Sequence, residues 1–126
     1  MKLLVQTLAV AGGGAVGAVL RWVVGSFCGR VFRTDFPVGT LVINLSGSFF
    51  LGWFMTLISG RVGVSDTARL AVSVGFVGAY TTFSTYMYES NGLLGSGEGI
   101  KASVNLIGSV VLGLIAVRLG VWAAGR

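Results

Sequence analysis

A run of glycine and hydroxyl residues interrupts a stretch of the sequence that is otherwise apolar. Residues 75–86 read GFVGAYTTFSTY. Glycine and threonine are poor helix formers, and serine and threonine hydroxyls compete for helix hydrogen bonds. The pattern therefore predicts a helix break between Gly78 and Thr82, the alternative being an intact helix softened by glycine. The freed carbonyl groups of such a break can coordinate a cation, and the N-terminus of the following half-helix can face an anion.

Two aromatic residues follow this predicted break at helical spacing. Phe83 and Tyr86 are three residues apart, so they share a helix face. The positive edge of an aromatic ring can meet an anion without holding it tightly, which suits conduction because an ion must leave as well as enter. The alternative is an ordinary lipid-facing or core pair. Ser84 and Thr85 add hydroxyl groups, and Glu89 is expected at the membrane interface or as a partner for buried hydroxyls.

Other apolar stretches also contain polar side chains, which are costly in lipid unless they find partners or water. Asn44 offers either an interhelical hydrogen bond or an N–H donor aimed at an anion, and Thr40 lies one turn before it. Asn105 and Ser109 are four residues apart and form a polar stripe on one helix face. Arg21 is either a snorkelling side chain at an interface or a charge that attracts anions into a water-filled vestibule.

The composition indicates that lipid is the main solvent of this chain. Of its 126 residues, 54% are hydrophobic and only 10% charged, and the mean hydropathy is +0.88. A soluble domain averages about 25% charged residues. The sequence has four apolar runs of the roughly 20 residues that a membrane-crossing helix needs. They cover approximately residues 3–28, 38–59, 70–91 and 102–124. The expected fold is an all-α membrane protein, a single transmembrane domain over residues 1–126.

The separators between these runs are predicted loops. Residues 91–101 contain several glycines and read as the last loop. Asp66 is placed to cap the third span. Gly13 and Gly17 have the GxxxG spacing that lets helices approach closely in membranes. Four spans are few for enclosing a pore, so these packing faces favour an oligomer.

The inventory of side chains argues against an enzyme. The chain has no histidine, one cysteine and four acidic residues. It therefore lacks an imidazole base, an internal disulfide and a carboxylate-rich metal cage. The net charge of +5 comes from basic residues that are spread along the chain. Nucleic acid is therefore not an expected partner, and cations flanking membrane spans are the better interpretation.

The distribution of these charges leaves the orientation in the membrane open. Four spans put both termini and the second loop on one side, and the other two loops on the opposite side. The first side carries Lys2, Arg61, Arg69 and Arg126, and the second carries Arg30, Arg33 and Lys101. This bias is too weak to fix the topology by the positive-inside rule. Either one extra charge suffices, or the chain inserts both ways up and opposed copies form an antiparallel dimer.

Taken together, these segments resemble the Fluc (CrcB) family of fluoride channels along essentially the whole chain. The resemblance rests on residues 13–22, 39–45 and 75–89, and its most specific element is Gly-x-x-Thr-Thr-Phe-Ser-Thr at 78–85. It implies a four-span subunit in an antiparallel, dual-topology homodimer with two fluoride pathways at the interface. It also implies a structural sodium ion at the dimer centre, held by the backbone carbonyls of Gly78 and Thr81.

The resemblance assigns further roles residue by residue. The family's pore asparagine matches Asn44, and its two pore-facing phenylalanines match Phe83 and Tyr86. Including the polar side chains described above, the expected fluoride pathway comprises Asn44, Phe83, Tyr86, Ser109, Ser84, Thr85, Thr40, Arg21, Asn105 and Glu89. Two of these depart from the family pattern, because Tyr86 replaces a phenylalanine and Asn105 stands where an aromatic residue or histidine is expected.

The implied function is passive, highly selective export of fluoride across the cell inner membrane, which protects the cell from fluoride toxicity. A proton-coupled small multidrug exporter is one alternative, but it needs a carboxylate deep in the membrane. The first span has none, and Glu89 lies toward the end of the third. A non-transporting membrane scaffold would need only the glycine packing, and the polar residues argue against it.

Overall fold

The computed structural model describes residues 1–59 and 63–125, of which 88% are helical and none lies in a strand. The helices in this part of the chain that are long and apolar enough to cross a membrane are α1 (Lys2–Phe32), α2 (Val38–Ser59) and α6 (Gly99–Ala124). Between α2 and α6 lie the shorter elements α3 (Asp66–Leu70), a π-helix (Ala71–Val77), α4 (Gly78–Tyr80) and α5 (Phe83–Gly95). The expectation of an all-α protein with helices able to span a membrane is confirmed.

The third predicted span, residues 70–91, is a series of short helices rather than one helix. The chain is extended at Thr81 (φ −80°, ψ 159°) and Thr82 (φ −150°, ψ 118°). Gly78 remains helical, with φ −61° and ψ −35°. The predicted break is therefore present at the C-terminal end of the expected window, and the alternative of an intact helix is wrong.

Several predicted boundaries differ from the structure. α1 continues to Phe32 rather than ending at residue 28, and Arg33 then ends it in the left-handed conformation (φ 41°, ψ 45°). The predicted loop 91–101 is mostly helical, because α5 continues to Gly95 and α6 begins at Gly99. The burial of Leu93 favours this continuation over the local glycine content.

The cap of α3 is also not the predicted one. Ser65 caps this helix, because its extended backbone lets its hydroxyl oxygen accept the N–H of Ala68 at 3.2 Å. Asp66 lies in the first turn instead, where a carboxylate favours the helix N-terminus. Of the charges counted on the two sides of the membrane, Arg61 and Arg126 lie outside the described residues.

Two glycines allow α1 to contact the third span through its backbone. α1 packs on the π-helix and on α4, while α2 packs on α6. A Cβ atom at Gly13 would collide with the carbonyl oxygen of Ala71, and one at Gly17 with that of Phe76. The close approach expected from the GxxxG spacing is confirmed, and it brings α1 against the segment that leads into the break.

The outer surface of the bundle is apolar. Leu8 of α1 is 64% exposed, and Ile107 and Leu114 of α6 are 67% and 65% exposed. Such a continuous apolar exterior is characteristic of helices that face hydrocarbon. The polar side chains inside the bundle therefore have to find their partners within the protein or in a water-filled cavity.

Candidate ion pathway

The break in the third span is held by the side chain of Asn44 on α2. Asn44 Nδ2 donates to the carbonyl oxygen of Thr82 at 3.0 Å, and the Thr82 N–H donates to Asn44 Oδ1 at 2.8 Å. The amide thus pairs with both backbone groups of Thr82, as a neighbouring strand would. Extended backbone at membrane depth is stable only when such groups are satisfied. The interhelical hydrogen bond considered for Asn44 is present, and Nδ2 carries a second hydrogen for another acceptor.

The break deprives two carbonyl groups of their helix partners. In an unbroken helix the Gly78 carbonyl would accept the Thr82 N–H, which is donated to Asn44 instead. The Thr81 carbonyl would accept the Thr85 N–H, which is donated to Thr82 Oγ1 at 3.3 Å. Unwound carbonyls of this kind are the groups that coordinate sodium in broken membrane helices. Gly78 and Thr81 therefore fit the sodium site that the resemblance implies.

Side chains offer no competing metal site in the part of the chain that the structure describes. Residues 1–59 and 63–125 contain no group of three or more His, Cys, Asp or Glu side chains that could hold a metal ion.

A groove of about 290 Å³ lies beside the break. Asn44 of α2, Phe83 and Tyr86 of α5, and Ser109 of α6 all line it. The rings of Phe83 and Tyr86 have their centroids 5.9 Å apart and their planes at 60°. Phe83 is 73% exposed and Tyr86 only 6%. The structure thus brings four expected pathway residues from three helices to one place, with Phe83 at the outer edge.

A larger cavity of about 810 Å³ contains a second group of the expected residues. It is lined by Arg21, Thr40, Thr85 and Glu89, and it extends to the loop between α1 and α2. The Thr40 hydroxyl interacts with the Glu89 carboxylate, so Glu89 does meet a buried hydroxyl. One oxygen of this carboxylate, Oε2, is buried and has no hydrogen-bond partner among the described residues. The arrangement is that of a vestibule carrying charge of both signs.

Thr82 was not among the predicted site residues, yet it borders both cavities. Its hydroxyl caps α5 by accepting the Thr85 N–H and donates to Thr85 Oγ1 at 3.0 Å. The spacing of Thr82 and Thr85 at the start of a helix is the signal that could have identified this cap. The break thus separates the vestibule from the groove.

Two expected pathway residues line neither cavity. Ser84 is exposed on the surface of α5. Asn105 is 2% exposed and lies between α5 and α6, where its Nδ2 donates to Ser90 Oγ at 2.9 Å. The hydroxyl of Tyr86 likewise points away from the groove, because it donates to the carbonyl oxygen of Leu106 at 2.6 Å. Nothing in the spacing of the sequence pointed to Ser90.

These features define a small multi-pass membrane protein in which a broken helix separates a vestibule from an aromatic-lined groove. Residues 8–121 match the family model described as CrcB-like protein, Camphor Resistance (CrcB). The chain belongs to this family, as the resemblance of its motifs indicated.

Curated relatives support the same assignment over nearly the full chain. A Chloroflexus aurantiacus protein is 47% identical over 114 residues, covering 90% of each chain. One from Maridesulfovibrio salexigens is 40% identical over 119 residues, covering 94% of each chain. An Aquifex aeolicus protein is 43% identical over 112 residues, covering 89% of this chain and 90% of its own. All three are named Fluoride-specific ion channel FluC.

Proposed function

We propose that this protein is a passive, selective fluoride channel. The observation that carries the proposal is the groove in which Asn44, Phe83, Tyr86 and Ser109 meet beside the helix break. The names of its relatives support fluoride as the ion. In the inner membrane of a cell, the negative interior would drive this anion outward and so protect the cell from its toxicity.

The groove supplies the groups that a small anion needs when it loses its water. Fluoride must exchange hydration for N–H, O–H and ring-edge donors, and the second Nδ2 hydrogen of Asn44 is one of these. The edges of Phe83 and Tyr86 carry partial positive charge, and Ser109 contributes a hydroxyl. All of these groups are neutral, so each binds the ion weakly enough to release it. In the vestibule, the charge of Arg21 attracts anions, and the hydroxyls of Thr40 and Thr85 lead toward the break.

We further propose that the functional unit is an antiparallel, dual-topology homodimer with two such pathways at its interface. The exposure of Phe83 supports this, because a ring at the open edge of a groove needs a second wall to form a closed path. The carbonyls of Gly78 and Thr81 would hold a sodium ion at the centre of the dimer. Its positive charge would lower the electrostatic cost of a nearby anion.

The test is an efflux measurement on the purified protein in liposomes loaded with fluoride or chloride, with the potential clamped by valinomycin. We expect rapid fluoride efflux, little chloride efflux, loss of fluoride efflux in Phe83→Ile and slower efflux in Asn44→Ala. Phe27→Ile is the matched control, because Phe27 is 65% exposed on α1 and lines neither cavity. No fluoride movement by a folded dimer would overturn the proposal. Glu89-dependent exchange of protons for a cationic drug would favour the exporter instead.

A further inference from the structure

The buried hydrogen bonds between α5 and α6 form one network that ends at the groove. Ser90 Oγ donates to the Tyr86 carbonyl oxygen at 2.7 Å and accepts from Asn105 Nδ2 at 2.9 Å. Asn105 Oδ1 in turn accepts the hydroxyl of Ser109 at 3.4 Å. Ser90 and Asn105 are each 2% exposed, whereas Ser109 lines the groove. The hydroxyl of a groove residue is therefore bonded to a network that lies outside the groove.

This network fixes which way the Asn105 amide faces. A serine hydroxyl has one hydrogen, and that of Ser90 is committed to the Tyr86 carbonyl. Ser90 can then only accept from Asn105, so the NH₂ group of the amide must face Ser90. The amide oxygen is left facing Ser109, which it meets as an acceptor and not as a donor.

The hydrogen bond from Ser109 to Asn105 is long, so the Ser109 hydroxyl can replace it with a bond to another acceptor. Hydroxyl hydrogen bonds are typically about 2.7–2.8 Å between oxygens, and this one measures 3.4 Å. A neutral amide oxygen at that distance is a weaker acceptor than an anion, which forms shorter and stronger bonds. An anion in the groove would therefore draw the Ser109 hydrogen away from Asn105, and the hydrogen would return when the anion leaves.

We propose that Asn105 is a positioning residue that holds the Ser109 hydroxyl hydrogen while the groove is empty and releases it to a passing anion. This inference rests on the proposed fluoride channel function. Asn105 does not touch the ion, because it lines neither cavity. It acts by keeping the groove hydroxyl satisfied and in one defined orientation between ions, so that release of an ion does not leave this hydroxyl without a partner.

The test is a double-mutant cycle on fluoride efflux from liposomes, using Asn105→Leu, Ser109→Ala and the combined variant. Leucine is close to asparagine in size and removes both hydrogen bonds. We expect each single variant to slow efflux roughly two- to tenfold, the rate equivalent of one net hydrogen bond. The combined variant should be no slower than Ser109→Ala alone, because Asn105 acts only through that hydroxyl.

A residue that only supports the fold would give a different pattern. Its substitution would slow efflux equally in the wild-type and Ser109→Ala backgrounds, and that additivity would overturn the proposal, as would normal efflux by Ser109→Ala. Should Asn105→Leu fail to fold, Ser90→Ala takes its place in the cycle, because it frees the amide to turn by deleting one oxygen. These outcomes all presuppose normal fluoride efflux by the wild-type protein. If the wild-type protein shows no fluoride efflux, the channel function is overturned and the positioning role with it.

Discussion

The ring and the hydroxyl of Tyr86 contact two different neighbours. Its ring lies in the groove beside Phe83, while its hydroxyl donates to the Leu106 carbonyl oxygen on α6. The ring alone carries the electropositive edge that an anion can use. The hydroxyl joins α5 to α6. At this position the departure from phenylalanine is therefore a change in helix packing.

Replacing Tyr86 with phenylalanine should separate these two roles. The Tyr86→Phe variant keeps the ring and loses the bond to Leu106, so fluoride efflux should persist close to the wild-type rate. The free energy of unfolding should fall by about 0.6 kcal/mol, the average for an interhelical hydrogen bond in a membrane protein. Efflux from liposomes and reversible unfolding in detergent would measure the two effects. Complete loss of efflux in a stable Tyr86→Phe protein would show that the hydroxyl does contact the ion.

At the scale of helices, the break depends on contacts from two different elements. α2 supplies Asn44, which pairs with the backbone of Thr82. α1 supplies Gly13 and Gly17, whose backbone lies directly against the π-helix and its end. With no side chain between these backbones, a change in the position of α1 reaches the third span directly. The break is thus supported on one side by hydrogen bonds and on another by close packing.

The packing contribution can be tested with one methyl group. Gly17→Ala would place a Cβ against the Phe76 carbonyl oxygen and should destabilise the protein by about 1–3 kcal/mol, the usual effect of overpacking. Gly12→Ala is the matched control on the same helix, since a Cβ there meets nothing within 4 Å. Alanine normally stabilises a helix relative to glycine, so the control should unfold at the same temperature or higher. Equal thermal stability of the two variants would contradict the proposed close contact.

The sequence predicted features that depend on local composition and missed those that depend on distant partners. Apolar runs predicted the long helices, and the glycine and threonine content around residue 80 predicted the break. The partner of Thr82 is Asn44, 38 residues away, and no spacing rule connects them. The burial of Asn105 was missed for the same reason, because its partner Ser90 lies on a different helix. The helical continuation through Leu93 was missed because packing there outweighs glycine content.

For the molecule as a whole, charge controls which way up the chain inserts. Four membrane spans would put Lys2, Arg61, Arg69 and Arg126 on one side, and Arg30, Arg33 and Lys101 on the other. Lys2 pairs with Asp66 at 3.6 Å, but both side chains are more than two-thirds exposed, so this pair adds little stability. Under the positive-inside rule, such a near balance of charge is compatible with insertion in both orientations. An antiparallel dimer requires this balance, because each orientation must supply one subunit.

Opposite charge variants should therefore be inactive alone and active together. Arg30→Gln with Lys101→Gln should fix the termini in the cytoplasm, and Lys2→Gln with Arg61→Gln and Arg69→Gln should fix them outside. A reporter fused to the C-terminus measures orientation, and survival of a fluoride-sensitive host measures function. We expect each variant alone to show one orientation and no protection, and co-expression to restore protection. Protection by either variant alone, in a single orientation, would contradict the antiparallel dimer.

The pairing of Asn44 with Thr82 also affects how fast the Thr82 amide hydrogen exchanges with solvent. Backbone amides at an interruption in a helix normally exchange with solvent deuterium quickly, because no ladder protects them. The Thr82 amide is instead enclosed by a side-chain acceptor at 2.8 Å from a neighbouring helix. Its exchange therefore requires the contact between Asn44 and Thr82 to open, rather than fraying within one helix. A place that looks like a hinge in the backbone trace is thus tied to a neighbouring helix through both backbone groups of Thr82.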